Sequence, residues 1–202
     1  MPFIEKNGLR VLFIHIPKTG GTSMEKWLES LAPLHLFCNG LPSYLRCTPQ
    51  HLRLRDINEI LKPVFFDYQF ALVRDPYARL ESEFRMHNSW ARQGFFGGGP
   101  SFSLWLEENL ERQKRDPFHF DNHLRPQWEF IGSDVEIFRM EDGLLEPMRK
   151  VAKLLKIPAT RKARHELNTG EKTGKIVWDR SDRLMIQEFY RLDFETFGYS
   201  ME

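Results

Sequence analysis

Net charge is almost absent from this sequence, because 29 basic residues are offset by 28 acidic residues to leave a formal charge of +1. Such a chain has no overall field to attract nucleic acid or an anionic membrane, so any anion site must be built locally. The sequence also lacks an apolar run near the roughly 18 residues that a membrane helix needs. These absences predict a protein that binds neither nucleic acid nor membranes.

Cysteine is scarce as well, with Cys38 and Cys47 as the only two in the chain. They could pair across a short loop, but a reduced pair is expected in an intracellular chain. The opening residues, MPFIEKNGLR, have neither the apolar core nor the cleavage site of a secretory signal. We therefore expect a cytoplasmic protein with free thiols.

The apolar content is sufficient for one well-packed domain over residues 1–202. Hydrophobic residues make up 41% of the chain and aromatic residues 13%, which allows a substantial core without a second domain. Strand-type runs at 9–16, 64–73 and 135–138 alternate with helical patterns at 22–31, 49–61, 76–90, 102–113 and 147–156, and Ser181 is predicted to cap a last helix. This alternation predicts an α/β fold with a P-loop-like, mainly parallel sheet flanked by helices.

The most informative stretch is 11–23, VLFIHIPKTGGTS. An apolar strand ends at a proline and is followed by a lysine, two glycines and two hydroxyl residues at the start of a helix. Glycine lets backbone N–H groups approach an anion closely, and a helix N-terminus favours negative charge. The sequence therefore predicts a phosphate-binding loop, whose residues are Pro17, Lys18, Thr19, Gly20, Gly21, Thr22 and Ser23. A Walker loop would place its lysine after the second glycine, so a nucleoside triphosphatase is not favoured.

A second anion site is predicted in RDPYARLES, residues 74–82. Arg74 leaves the end of a strand next to the first loop, and Ser82 follows Arg79 by three positions on one helix face. We therefore predict that Arg74, Arg79 and Ser82 bind a second phosphate. An ion pair of Arg79 with Glu83 on a solvated face would account for Arg79 but not for the spacing of the whole set.

Both motifs resemble those of sulfotransferases. The order PKTGGTS resembles their 5′-phosphosulfate loop, and R-D-P-x-x-R-x-x-S resembles their 3′-phosphate motif. The longer form HIPKTGGTS is most similar to the carbohydrate branch that includes the heparan sulfate 2-O-sulfotransferases, and other parts are similar to bacterial family members. The resemblance implies 3′-phosphoadenosine 5′-phosphosulfate (PAPS) as co-substrate, no metal, and a small-molecule or carbohydrate acceptor. Lys18 would stabilise charge at the bridging oxygen.

Two other functions remain open from the sequence. A P-loop nucleotide kinase or other phosphotransferase would also bind phosphates, although the order of lysine and glycines and the lack of a clear Mg²⁺-binding Asp after a strand argue against it. A non-catalytic nucleotide-binding module would keep both phosphate sites, and replacing a histidine would not affect it.

Two histidines are candidates for the base that takes the acceptor proton. His51 falls in the first turn of the helix predicted at 49–61, where the dipole favours a neutral imidazole, and the resemblance places a family base between the two motifs. His123 lies in DNHLRPQ, which is similar to H-x-R-P-Q segments of bacterial members. His15 is expected to brace the loop. His119 and His123 lack a carboxylate–histidine metal pattern, so no zinc site is expected.

The late basic loop at 159–175 has two interpretations. It is a solvated surface on composition alone, whereas the resemblance implies that such a loop closes over the nucleotide, through Asn168, Thr169 or Lys172.

Overall fold

The computed structural model describes residues 1–38, 40–93, 101–159, 176 and 178–202. Within these residues, four strands form one sheet in the order β1-β2-β3-β4: β1 (Phe3–Lys6), β2 (Leu9–Ile14), β3 (Tyr68–Val73) and β4 (Glu136–Arg139). β2, β3 and β4 run parallel to one another, whereas β1 runs antiparallel to β2. The predicted α/β fold with a mainly parallel sheet is confirmed.

Seven α-helices in the described residues surround the sheet: α1 (Gly21–Glu29), α2 (Leu54–Asn58), α3 (Pro76–Gln93), α4 (Phe102–Arg115), α5 (Leu145–Leu154), α6 (Arg180–Phe189) and α7 (Arg191–Phe197). Short 3-10 turns lie at Pro49–His51, Pro63–Phe65, Gln127–Phe130 and Met140–Asp142. Among the described residues, no helix combines the length and the apolar character needed to cross a bilayer. Cys38 and Cys47 are free thiols, as expected.

The sheet is buried on both faces, because successive side chains of β2 enter different clusters. Leu12 and Ile14 pack with residues of α2, α7 and the Gln127–Phe130 turn. Val11 and Phe13 pack instead with apolar residues of α1 and α5. A third cluster joins α3, α4 and α6 beside the sheet. Burial on both faces explains why the central strands are continuously apolar rather than alternating.

Strand β1 is absent from the sequence-based prediction. It forms a hairpin with β2 through Asn7 and Gly8, whose φ angles are 53° and 77°. Asn-Gly is the preferred pair for a two-residue hairpin turn because both positions need a positive φ. That pair was the available signal for an antiparallel edge strand.

The helix predicted at 49–61 is wrong. A 3-10 turn at Pro49–His51 is followed by extended backbone at Leu52 and Arg53, and α2 starts at Leu54. The Asp56 side chain accepts from the Arg53 backbone N–H at 2.9 Å and from the Arg53 guanidinium, which starts a new helix there. Thr48 makes no cap hydrogen bond, since its hydroxyl donates to Asp121 Oδ2 at 2.8 Å instead. His51 therefore does not lie in the first turn of an α-helix.

Three other boundaries differ from the prediction. The strand predicted at 64–73 begins only at Tyr68, after a 3-10 turn, and the strand predicted at 9–16 ends at Ile14. Ser181 is predicted to cap the last helix, but the N-cap of α6 is Asp179. The Asp179 side chain accepts from the Asp182 N–H at 2.9 Å. Nearly all of the loop predicted at 159–175, including Asn168, Thr169 and Lys172, lies outside the described residues.

Candidate functional site

The two predicted anion motifs meet at one edge of the sheet. β2 and β3 pair in parallel, with Ile14 opposite Ala71, so the residues that follow each strand leave the sheet on the same side. Residues 15–20 connect β2 to α1, whose first turn completes the 17–23 loop motif, and Arg74 follows β3 directly. Arg74 Nη1 donates to the carbonyl oxygen of Lys18 at 3.2 Å. The Arg74 guanidinium and the predicted phosphate-binding loop are therefore in direct contact.

The backbone of the loop has a positive φ at two positions. Lys18 and Gly20 have φ angles of 69° and 89°, and Gly20 is the N-cap residue of α1. Thr19 is fully buried, and its hydroxyl donates to the Ile16 carbonyl at 2.8 Å. The N-terminus of α1 thus lies at the loop, where the helix dipole favours an anion. Pro17 is buried, whereas Thr22, Ser23 and Ser82 are half-buried.

Two cations at this edge are partly removed from water. Burial lowers the pKa of Lys18, which the charge of Glu83 partly offsets and the neighbouring Arg74 reinforces. Burial likewise lowers the pKa of Arg74. Lys18 Nζ lies 3.3 Å from Met86 Sδ. No carboxylate in the described part of the chain forms an ion pair with either cation, and a cation with reduced hydration attracts an anion more strongly than an exposed one does.

Arg79 lies beneath the loop. Its side chain is 2% exposed, so the solvated ion pair considered from the sequence does not exist. Its guanidinium donates to the carbonyl oxygens of Pro17 at 2.9 Å, Arg125 at 3.0 Å and His123 at 2.7 Å. Arg79 therefore ties the phosphate loop to the segment that carries His123.

Three histidines stand in a row next to the loop, with the rings of neighbours edge to face. The ring of His51 lies 5.0 Å from that of His15 and 4.9 Å from that of His123, between centroids. In every case Nδ1 faces a carboxylate oxygen; the pairs are His15–Glu25 at 2.6 Å, His51–Asp121 at 2.7 Å and His123–Glu83 at 2.8 Å. The structure thus brings together both candidate bases and gives each an acidic partner. His119 Nε2 pairs elsewhere, with Asn109.

His51 has the environment of a neutral base. Burial lowers its pKa, and the charges of His15 and His123 lower it further against the opposing effect of Asp121. With the proton on Nδ1 directed at Asp121, Nε2 keeps its lone pair, which accepts from the Gln50 amide at 3.3 Å. Asp121 is fixed in turn by the backbone N–H and hydroxyl of Thr48. His51 and Asp121 are thus arranged like a general base and the carboxylate that orients it.

Glu83 is ionised although its side chain is only 1% exposed. Burial alone would raise its pKa, but His123, His87 and Lys18 together lower it far below the usual range. His87 Nε2 lies 3.0 Å from Glu83 Oε1. Glu83 therefore supplies a fixed negative charge between the lysine of the loop and His123.

The cluster around His51 also contains three residues of types that bind metals in proteins. His51, Asp121 and His123 offer ligand atoms that all lie within 4.8 Å of one another. Two of these residues already share a hydrogen bond, and the Asp121 oxygens also accept from Thr48. The geometry is that of a hydrogen-bonded base, and the expected absence of a metal stays a prediction.

Comparison with known families gives one match. The model of a family described as the sulfotransferase family matches residues 2–200, which is nearly the entire chain. The chain belongs to the sulfotransferase family. No curated protein matches it, and no solved structure does. Membership supports transfer of a sulfuryl group, and so disfavours the kinase alternative.

Sequence reasoning missed two members of this sulfotransferase site. Asp121 stands two positions before His123 in DNHLRPQ, and a carboxylate so close to a candidate base was the available signal. Glu83 was considered only as a surface partner of Arg79. It follows Arg79 by four positions, so the two share a helix face, and that face is buried.

Proposed function

We propose that this sulfotransferase moves the sulfuryl group of PAPS to a hydroxyl of a small-molecule or carbohydrate acceptor. The observation that carries the proposal is the convergence of the Lys18 loop, Arg74 and the His51–Asp121 pair at one edge of the sheet. An anion cradle next to a neutral, oriented imidazole is what transfer from an anionic donor to a hydroxyl requires. The likeness of HIPKTGGTS to the carbohydrate branch favours a sugar acceptor.

Donor binding is divided between the two motifs. The 17–23 loop takes the 5′-phosphosulfate, using its backbone N–H groups, the hydroxyls of Thr22 and Ser23 and the charge of Lys18. Arg74 and Ser82 bind the 3′-phosphate. The three carbonyl contacts of Arg79 support a role different from the phosphate contact predicted from the sequence: Arg79 holds the loop from below.

The transfer step needs three contributions from the protein. His51 Nε2 accepts the acceptor proton as the acceptor oxygen bonds to sulfur and the bond from sulfur to the bridging phosphate oxygen breaks. Lys18 stabilises the charge that develops on that bridging oxygen. Asp121 stabilises the imidazolium that forms. The products are the sulfated acceptor and adenosine 3′,5′-bisphosphate.

His51 is favoured over His123 as the base. His51 is 5% exposed, and burial lowers its pKa, so it is neutral when an acceptor arrives. His123 is more exposed than His51, and its Nδ1 pairs with Glu83 at 2.8 Å. We therefore assign His123 to contact the acceptor or the sulfuryl oxygens.

Ligand-induced stabilisation separates this function from a kinase. Adenosine 3′,5′-bisphosphate should raise the melting temperature, whereas ATP with Mg²⁺ should not; the reverse result would contradict the proposal. Transfer from labelled PAPS to a panel of sugars and simple alcohols then identifies the acceptor.

Histidine variants separate an enzyme from a binding module. His51→Ala should abolish transfer while leaving adenosine 3′,5′-bisphosphate affinity intact, and Asp121→Asn should slow it strongly. His123→Ala is the matched comparison: if that variant is inactive and His51→Ala is active, the base is His123. A non-catalytic module would show no transfer in the unmodified protein.

A further inference from the structure

Helix α3 contacts His123 at both its backbone and its side chain. Arg79 and Glu83 lie one turn apart on α3, with exposures of 2% and 1%. Arg79 Nη2 donates to the backbone carbonyl of His123 at 2.7 Å, and Glu83 Oε2 accepts from the His123 ring Nδ1 at 2.8 Å. The backbone and the side chain of His123 are thus both fixed by the same helix.

The same guanidinium reaches the donor loop. Arg79 Nε donates to the Pro17 carbonyl at 2.9 Å, on the residue before Lys18. A charged guanidinium is costly to bury, and here its hydrogen bonds go to carbonyls in two segments far apart in sequence. An apolar side chain of similar size would fill the space but could not connect the two segments.

We infer that Arg79 and Glu83 are positioning residues that fix His123 relative to the phosphate loop, and thereby set where the acceptor lies relative to the donor. The catalytic consequence rests on the proposed function, whereas the fixed orientation of His123 does not. Glu83 acts through the His123 ring, and Arg79 acts through the two backbone segments.

Glu83→Gln tests the ring contact with little change in shape. We expect kcat to fall about 10- to 100-fold, since small misplacements of reacting groups have effects of this size. Adenosine 3′,5′-bisphosphate affinity should change far less than kcat, because Glu83 acts on Lys18 only through its charge, whereas its carboxylate bonds directly to the His123 ring. The exposed Glu108→Gln on α4 is the matched control and should leave both quantities unchanged.

A double-mutant cycle distinguishes positioning from a general loss of stability. If Glu83 acts through His123, Glu83→Gln should cost nothing further in a His123→Gln background. Additive losses in kcat would overturn the inference. Arg79→Lys should lower both kcat and nucleotide affinity, because one ammonium cannot reach carbonyls of both segments; unchanged values would contradict the role of Arg79.

Histidine ring NMR tests the inference without any activity. In the unmodified protein, the His123 ring should give one Nδ1-protonated signal, assigned by its loss in His123→Gln. Glu83→Gln should shift that signal, and an unshifted signal would overturn the inference even in a folded, active variant. If no acceptor is ever sulfated, the proposed function fails while the NMR and nucleotide titrations still decide the positioning roles.

Discussion

The ring of His15 occupies the space that a side chain on Gly21 would need. A Cβ built on Gly21 would lie 2.0 Å from His15 Nε2. The ring cannot move aside easily, because it is buried and its Nδ1 pairs with Glu25 at 2.6 Å. The second glycine of the loop is therefore required by close packing, whereas Gly20 is required by its positive φ.

Gly21→Ala should accordingly destabilise the protein and its loop together. We expect the free energy of unfolding to fall by about 1–3 kcal/mol, the usual cost of overpacking, and adenosine 3′,5′-bisphosphate binding to weaken. Urea denaturation and calorimetry measure the two effects. Gly8→Ala is the control, since position 8 has a φ of 77° but no atom within 4 Å of a Cβ. It should cost about 1 kcal/mol through strain alone and leave binding intact.

Lys18→Ala should affect the rate far more than nucleotide binding. Its charge is needed chiefly where negative charge develops on the bridging oxygen, so kcat should fall about 10²- to 10³-fold. Single-turnover rates and calorimetry with adenosine 3′,5′-bisphosphate give the two quantities separately. Equal losses in rate and affinity would show that Lys18 contributes ground-state binding only.

Arg74→Ala should weaken binding of adenosine 3′,5′-bisphosphate by about 2–4 kcal/mol, because a bound phosphate loses its charge-assisted partner. The matched ligand is adenosine 5′-monophosphate, which lacks the 3′-phosphate and should bind the variant about as well as the unmodified protein. A similar loss for both ligands would place Arg74 at the 5′ side instead.

Stability should decline in mild acid because of His51. Its folded-state pKa is lowered by burial, so below the unfolded pKa of about 6.5 the unfolded chain binds a proton that the native protein does not. The free energy of unfolding therefore falls as pH drops below about 6.5, and His51→Gln should flatten this dependence. Urea denaturation at pH 7.5 and 5.5 measures it. The exposed His35→Gln should leave the slope unchanged.

The strands and loops that carry the site could be predicted from the sequence, whereas the pairing of its acidic residues with histidines could not. Pro17 and Asp75-Pro76 mark strand ends sharply, and Asp75 does accept from the Ala78 N–H at 2.9 Å as a helix cap. Parallel pairing then puts both motifs at one edge. Contacts such as His51–Asp121 join positions 70 residues apart, and no local pattern encodes such a distance.

Local competition explains the misplaced helix start near His51. Thr48 and Pro49 carry the composition of a helix N-terminus, which is what the prediction used. Asp121 accepts from the Thr48 N–H and hydroxyl instead, and the helix begins later, where Asp56 accepts from the Arg53 N–H. A tertiary hydrogen bond thus overrides a local capping signal.

The parallel pairing of β2 with β3 makes the proposed donor binding depend on the fully folded chain. Lys18 and Arg74 come together only when β2 and β3 are paired, with Val11 opposite Tyr68, and the chain between the two strands is folded. Neither strand alone presents a usable anion site, so a truncated or nascent chain should not capture the nucleotide. A nucleotide that binds only the native state would raise the free energy of unfolding of the whole fold, by about 2.7 kcal/mol when its concentration is 100 times its Kd. Resistance to protease in the presence of nucleotide would therefore select correctly assembled molecules from a mixed preparation.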